Sequence, residues 1–159
     1  PRTFTALGRK DLSAIELIEE SCFPAERRES PRSLRRSLES PAQSAWLAVS
    51  GGETAGYAVF RHHPRPLRIF SLAVLPAFRG AGAGRKLVEK ALAVAKQAGA
   101  ESVTLEADQG NVILTGWYET FGFAAGQTLK DYYSPGCHAV RMRLVLQPAL
   151  KGGRVCGRS

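Results

Sequence analysis

The chain has 159 residues, of which 44% are hydrophobic and 23% charged, and its formal net charge at pH 7 is +8. This length predicts a single domain with a sizeable core, which we place over residues 1–146, while residues 147–159 lose periodicity and predict a flexible tail. No apolar run approaches the roughly 18 residues of a membrane span, and no internal repeat or low-complexity block is present.

The first half of the chain is predicted to hold a short strand and two helices. Residues 2–7 are extended in pattern, while residues 11–22 repeat apolar side chains at helical spacing. Four residues of that helix lie on adjoining faces: Leu12, Ile15, Ile18 and Glu19. Ser30 as N-cap and Pro31 at the first helical position predict a second, short helix.

A β-hairpin is predicted next. Residues 44–50 and 53–61 have strand patterns and flank two consecutive glycines, which favour a two-residue turn. His62 and His63 follow in a proline-rich connection, which is typical of a loop rather than a metal site. Three cysteines lack both metal-binding and redox spacing: Cys22, Cys137 and Cys156. We therefore expect reduced thiols, a cytoplasmic location and no bound metal.

Residues 72–84 combine an apolar strand, a glycine-rich turn and the start of a helix. The strand ends at Pro76, and the helix that follows ends at Gly99. One face of this helix is apolar: Leu87, Ala91, Val94, Ala95 and Ala98. The first amides of a helix lack internal partners, and the helix dipole leaves about half a positive charge there. The turn therefore predicts a site for a diphosphate.

The spacing of the glycines limits which class of diphosphate-containing ligand the turn could bind. The G-x-x-x-x-G-K-[ST] loop of nucleoside triphosphatases does not occur in the chain. Gly80, Gly82 and Gly84 are spaced G-x-G-x-G, whereas a dinucleotide site needs G-x-G-x-x-G. Two interpretations remain. The loop binds a diphosphate of another kind, or it is a glycine-rich loop without a ligand.

Residues 102–123 form a second strand–turn–helix unit. Residues 102–107 are predicted to be a strand and residues 108–110 a turn, with Asn111 as the N-cap of a short helix. The helix ends at Gly122. It carries five large apolar or aromatic residues: Ile113, Leu114, Trp117, Tyr118 and Phe121.

The segment Val74-x-Pro76-x-x-Arg79-Gly80-x-Gly82-x-Gly84 resembles the coenzyme A signature of the GNAT superfamily of acyl-CoA-dependent N-acyltransferases. The resemblance implies acetyl-CoA as co-substrate and an α/β (α+β) fold. The implied sheet is mixed and mostly antiparallel, with about six or seven strands, is flanked by about four helices, and is splayed at the acetyl-CoA site. The residues implied to hold the coenzyme are Leu72, Val74, Arg79, Gly80, Ala81, Gly82, Ala83, Gly84 and Asn111.

Residues 102–123 resemble a second segment of the same family. Two further segments resemble the bacterial ribosomal-protein alanine N-acetyltransferase group within it: residues 15–24, which end in C-F-P, and a closing hairpin over residues 130–144. Leu114 and Trp117 are bulkier than the residues usual in the family at those positions. The chain also lacks the aromatic residue that usually follows C-F-P in that group. The resemblance therefore implies least about the loop that would contact the acceptor.

The same resemblance implies roles for individual residues. Glu106 corresponds to the proposed general base and Tyr118 to the general acid, while Tyr132 and Tyr133 border the acceptor channel. An amine attacks a thioester only when it is neutral, and the departing thiolate needs a proton, so a carboxylate and a protonated tyrosine suit direct transfer. The backbone N–H of Val74 is our candidate for the oxyanion donor.

Each role has a simpler alternative. Glu106 could be an exposed carboxylate at the end of a strand, and Tyr118 could be a core aromatic. Asn111 could serve only as a helix cap, and the tyrosine pair of Tyr132 and Tyr133 could serve only in packing.

The acceptor is predicted to be the N-terminal α-amine of a protein or peptide, with a ribosomal protein among the candidates. A small-molecule amine is the alternative acceptor. The alternative to an enzyme is a non-catalytic module that binds coenzyme A and, through a basic face, nucleic acid. We expect direct nucleic-acid binding less than acetyl transfer. Five arginines lie between the first two helices, where they contact the acceptor or form a solvated face: Arg27, Arg28, Arg32, Arg35 and Arg36.

Overall fold

The computed structural model describes residues 4–6, 11–62 and 66–146. The predicted tail and His63 lie outside these residues. The described residues form seven strands: β1 (Phe4–Ala6), β2 (Gln43–Ser50), β3 (Glu53–His62), β4 (Pro66–Val74), β5 (Ser102–Asp108), β6 (Ala124–Ser134) and β7 (Cys137–Val145). They also form four α-helices: α1 (Leu12–Cys22), α2 (Pro31–Glu39), α3 (Ala83–Gln97) and α4 (Val112–Glu119). Two short 3₁₀ turns complete them: Ala25–Arg27 and Pro76–Phe78.

All seven strands belong to one sheet with the order β1-β2-β3-β4-β5-β7-β6. The neighbours β4 and β5 are parallel, and every other neighbouring pair is antiparallel. The prediction of a mixed, mostly antiparallel sheet is confirmed.

The sheet parts between β4 and β5. The two strands pair over Pro66, Leu67 and Arg68 and then diverge, although β4 continues to Val74. Just beyond the parting, a β-bulge leaves Phe70 as an extra residue between the paired positions on either side of it. A bulge bends its strand and increases the local twist, so β4 turns away from β5 and opens a gap in the middle of the sheet.

Helices cover both faces of the sheet. Leu87 of α3 packs with Phe60 in the core on one face, while Ile15 of α1 and Leu34 of α2 pack with Val59 on the other. All five side chains are almost fully buried. Each such burial of a large aliphatic side chain is worth about 1.5–3 kcal/mol, so these two cores hold the divided sheet together.

The local signals of the sequence are confirmed at both predicted N-caps. The Ser30 hydroxyl accepts a hydrogen bond at 3.1 Å, and the Asn111 side-chain oxygen accepts one at 3.0 Å, each from the backbone N–H three residues later. The predicted apolar face of α3 needs one correction. Ala98 is exposed because it is the C-cap, and Val88, which the prediction omitted, is fully buried.

Gly56 fixes the distance between β3 and the end of β4. A Cβ atom built on Gly56 would lie 2.3 Å from the carbonyl oxygen of Ala73 and 3.0 Å from the Cα of Val74. Both are backbone atoms that cannot rotate away. We expect Gly56→Ala to destabilise the protein by about 3 kcal/mol, measured by denaturant unfolding.

Gly116 provides the matched control, since a Cβ there meets no atom within 4 Å and the residue lies inside α4. Gly116→Ala should stabilise the protein by about 0.5–1 kcal/mol. Equal unfolding midpoints for Gly56→Ala and the parent would contradict the close approach of β3 and β4.

Candidate active site

A cavity of about 400 Å³ lies where β4 and β5 part. Residues 69–72 of β4 and residues 105–108 of β5 form its walls, and the end of α1 and the start of the following loop close one side. Six of the predicted site residues line it together: Leu72, Glu106, Asn111, Tyr118, Tyr132 and Tyr133. The structure thus brings residues from four different elements to one opening in the sheet.

The charge of the cavity is opposite to that of the whole chain. Two arginines line it, Arg27 and Arg68, against four carboxyl side chains: Glu19, Glu29, Glu106 and Asp108. The chain as a whole carries a net charge of +8. A concave site in which carboxyl groups outnumber basic groups favours a cationic ligand, and an ammonium group is such a ligand.

Glu106 is held by an arginine on each side. One carboxylate oxygen accepts a hydrogen bond from Arg68 Nε at 2.8 Å, and the other accepts one from Arg141 Nε at 3.1 Å. Its side chain is 5% exposed, so the alternative of an exposed strand-end carboxylate is wrong. Arg68 Nη2 also lies 2.5 Å from the first oxygen, whereas the second oxygen accepts only from Arg141 among the described residues. The second oxygen therefore keeps a lone pair that can accept a hydrogen bond from a ligand while both arginines remain bound.

Arg68 also reaches the β6 side of the cavity, where it donates a hydrogen bond at 3.1 Å to the Tyr132 hydroxyl. The sequence prediction missed both arginine partners. Arg68 is the one charged residue in β4, and Arg141 is the direct cross-strand partner of Glu106. The first signal is visible in the sequence, whereas the second requires the strand register.

Tyr118 is both a core aromatic and a cavity residue. It is 6% exposed and packs edge-on against Phe123, and it also lines the cavity. Burial raises the pKa of its hydroxyl above the ordinary value, with a smaller contribution from Tyr133. Tyr118 is therefore protonated at neutral pH, as a proton donor must be.

Tyr132 and Tyr133 meet edge-to-face at the mouth, with ring centroids 5.0 Å apart. Tyr132 is 44% exposed, and Tyr133 is partly buried. Burial, with a smaller effect from Tyr132, raises the pKa of Tyr133 to about 12. Both rings line the cavity.

The loop after α1 is fastened across the cavity by Arg27. Its guanidinium donates a hydrogen bond at 2.9 Å to the Asp108 carboxylate at the end of β5 and lies 4.5 Å from the centre of the Tyr133 ring. The hydrogen bond from Arg27, followed by one from the Gly110 N–H, lowers the pKa of Asp108 below its usual range. We call the contact of Arg27 with Asp108 and Tyr133 the Arg27 latch.

The other four arginines of the predicted cluster are exposed. Arg28 Nε donates a hydrogen bond at 2.8 Å to the Phe23 carbonyl and so stabilises the loop after α1. Three lie on α2 and point to solvent: Arg32, Arg35 and Arg36. The cluster therefore divides into loop-holding residues and a solvated face.

The glycine-rich loop leads into the N-terminus of α3. Gly82 is the N-cap with a φ of +88°, a left-handed conformation that favours glycine. The Lys86 N–H donates to the Gly82 carbonyl at 3.0 Å, so the amides before Lys86 lack intrahelical acceptors. Gly84 lies against the Trp117 ring, which a Cβ would approach to 3.3 Å. These free amides fit a diphosphate group.

The end of β4 offers further backbone groups to a ligand. The Leu75 N–H donates to Ala55 at 2.8 Å. Because N–H groups alternate along a strand, those of Val74 and Leu72 point into the gap. The Val74 carbonyl accepts from Arg79 Nε at 3.0 Å and from the Cys22 thiol at 3.3 Å, so one Arg79 donor holds the entry of the loop.

Comparison with known proteins identifies the family. Residues 12–123 match the profile of the Acetyltransferase (GNAT) family. The chain belongs to this family. As a GNAT acetyltransferase it is an acyltransferase enzyme, and family membership indicates acetyl-CoA as the donor.

Similar proteins extend the comparison. The GNAT chain is 30% identical over 148 residues to N-alpha-acetyltransferase RimI of Mycobacterium tuberculosis, covering 90% of this chain and 92% of that one. It is 33% identical over 107 residues to N-alpha-acetyltransferase MAK3 of Arabidopsis thaliana, covering 65% of this chain but only 56% of MAK3. In fold it is similar to the crystal structure of the ribosomal-protein-S18-alanine N-acetyltransferase from Escherichia coli, with a TM-score of 0.83, 23% identity and coverage of 92% and 95%.

The part of the chain that the structure describes has neither a candidate metal-binding group nor a helix that could span a membrane. There, no group of three or more His, Cys, Asp or Glu side chains is placed to hold a metal ion. None of the described helices is both long and apolar enough to cross a membrane.

The Arg27 latch predicts a pH response. Because the folded-state pKa of Asp108 is lowered, the latch stabilises the fold above the unfolded carboxyl pKa of about 3.9, and this stabilisation is lost as pH falls through the folded value. We expect Arg27→Gln to raise the Asp108 pKa towards its ordinary value, measured by NMR titration of the side-chain carboxyl. Arg32→Gln, on the exposed face of α2, should leave it unchanged. An unchanged Asp108 titration in Arg27→Gln would contradict the latch.

Proposed function

We propose that this GNAT acetyltransferase transfers the acetyl group of acetyl-CoA directly to the N-terminal α-amine of a protein or peptide. The main support for this proposal is the carboxyl-rich cavity in the sheet opening, because Glu106 and Tyr118 line it together with Tyr132 and Tyr133. The names of the N-alpha-acetyltransferase relatives support this choice of acceptor. A small-molecule amine and a nucleic-acid-binding module are not favoured.

The donor side uses the backbone rather than side-chain charge. We propose that residues 79–84 bind the pyrophosphate of acetyl-CoA at the N-terminus of α3. The N–H groups of Arg79 and Ala81 already donate to the carbonyls of Pro76 and Phe78, so the amides from Gly82 to Gly84 are the proposed donors. Leu72 and Val74, whose N–H groups face the gap, would lie along the thioester, with the Val74 N–H as donor to the developing oxyanion. Asn111 caps α4 and lines the same cavity, so it serves as a cap and as a coenzyme neighbour.

The acceptor side is proposed to bind an ammonium group and prepare it for attack. The excess of carboxyl groups draws the α-ammonium into the cavity, and Glu106 accepts a proton from its nitrogen through a free lone pair. Arg68 and Arg141 fix the carboxylate so that it needs no reorientation. Tyr118, protonated and buried, donates to the departing thiolate.

The peptide that carries the amine would lie between the Arg27 latch and Tyr132. The latch and Tyr133 limit the space for the first residues, and Tyr132 offers an exposed ring and hydroxyl at the mouth. A ribosomal protein is the acceptor to test first, since one relative from Bacillus subtilis is named a putative [ribosomal protein bS18]-alanine N-acetyltransferase.

Substitution of the two proposed catalytic residues tests the mechanism. We expect Glu106→Gln and Tyr118→Phe each to lower kcat by roughly 10²-fold, since positioned proton transfer typically contributes at least that much. The Kd for coenzyme A, measured by calorimetry, should stay near the parent value because neither side chain lies in the glycine-rich loop before α3.

The exposed carboxylate at the start of β3 gives a control, and Glu53→Gln should match the parent in rate and in unfolding temperature. If Glu106→Gln and Tyr118→Phe also turned over at the parent rate, the assignment of the two proton-transfer residues would be wrong.

A peptide panel tests the acceptor. Peptides that differ in their first residue, each with one internal lysine, are incubated with acetyl-CoA and analysed by intact mass and fragmentation. We expect acetyl on the α-amine and none on the lysine, and no product from peptides with a blocked N-terminus. Acetylation confined to lysine, or only of small amines supplied in parallel, would overturn the proposed acceptor.

A further inference from the structure

The reaction requires the acceptor nitrogen to lose two protons. An α-ammonium group starts with three N–H bonds, and the secondary amide product keeps one. One of the two protons balances the departing thiolate as a thiol, and the other goes to solvent. One must leave before attack, because only a neutral amine has a free lone pair, and Glu106 accounts for a single proton.

A second buried carboxylate lies in the same cavity. Glu19 of α1 lines the cavity wall and is 3% exposed. One of its oxygens accepts the Tyr57 O–H at 2.6 Å, and the other accepts the backbone N–H of Glu29 at 2.8 Å. Unlike Glu106, Glu19 has no arginine among its hydrogen-bond partners in the described structure.

Tyr57 connects Glu19 to a hydroxyl on β4. The Tyr57 oxygen lies 2.9 Å from the Ser71 hydroxyl oxygen. Tyr57 has one proton and donates it to Glu19, so Ser71 must be the donor towards Tyr57. The lone pairs of Ser71 are then left to accept, and Ser71 lines the cavity beside Leu72.

We propose that Ser71 receives the first proton of the acceptor ammonium and passes it through Tyr57 to Glu19. The proposal rests on the proposed function and adds a second proton acceptor to the same site. Ser71 is the catalytic residue of this relay, because it would touch the amine, and Tyr57 and Glu19 act through it.

The relay balances in protons without any net bond change in the protein chain. The ammonium N–H gives its proton to the Ser71 oxygen, the Ser71 proton moves to Tyr57, and the Tyr57 proton moves to Glu19. All three hydrogen bonds then point the other way. The amine is neutral, and its lone pair becomes free to attack once the nitrogen turns away from the Ser71 hydroxyl. Because Glu19 also lines the cavity, its proton can leave to water after the product departs.

The surroundings of Glu19 suit a proton acceptor. Burial raises its pKa above the ordinary carboxyl value, although the hydrogen bonds from Tyr57 and the Glu29 N–H act in the opposite direction. The negative charge of Glu29 adds to the increase, and the positive charge of Arg28 opposes it. Burial, with a smaller contribution from the charge of Glu19, also raises the pKa of the Cys22 thiol one turn along α1. A carboxylate of raised pKa is a stronger base than an unperturbed one.

The relay is tested by the pH dependence of kcat/KM for a peptide that the parent acetylates. Removing the first proton acceptor should matter only while the amine is protonated, below its pKa of about 7.7–8.0. We expect Ser71→Ala to lower kcat/KM about tenfold near pH 6 and to approach the parent above about pH 9. Tyr57→Phe and Glu19→Gln should show the same convergence, whatever stability they lose.

The control is Ser44→Ala, which removes another hydrogen-bonded serine from a partly buried strand position that does not line the cavity. It should leave the pH profile unchanged. If Ser71→Ala lowered kcat/KM equally at all pH values, or did not lower it, the relay would be wrong. The relay would also be wrong if kcat/KM approached the parent value at high pH only in Glu106→Gln. Failure of the parent to acetylate any peptide would instead overturn the proposed function.

Discussion

The parting of β4 from β5 is the constraint on which the rest of the structure depends. Once the strands diverge beyond Arg68, the facing backbone groups lose their ladder partners, and buried groups of this kind must be satisfied in another way. Side chains satisfy one of them, since Arg79 and Cys22 both donate to the Val74 carbonyl. The N–H groups of the same edge remain for the substrates, so the gap that weakens the sheet also creates the site.

The opening also explains why the charges of the site come in opposed groups. A carboxylate in the gap is removed from water and needs partners, and Glu106 obtains one arginine from each neighbouring strand. Glu19 is buried among neutral donors instead. The two carboxyl groups of one cavity thus lie in different environments, one paired with arginines and the other with a hydroxyl and a backbone N–H.

The sequence predicted those features that depend on neighbouring residues. The caps at Ser30 and Asn111 and the extent of α3 follow from local patterns, and the sheet class followed from family resemblance. The contacts of Glu106 with Arg68 and Arg141 join residues 38 and 35 positions apart, and the contact of Glu19 with Tyr57 spans 38. Such pairs depend on strand register and helix docking, which periodicity alone does not specify.

The acceptor loop illustrates the same difference between composition and structure. The five clustered arginines were expected to contact the acceptor or to form a solvated face, but Arg27 pairs with Asp108 and Arg28 holds the loop. Since carboxyl groups outnumber arginines in the cavity, the reacting end of the acceptor meets a site of the opposite sign to the surface. We therefore propose that attraction of an ammonium group and fit beside the Arg27 latch, rather than the overall charge of the protein, decide which amine reaches the thioester.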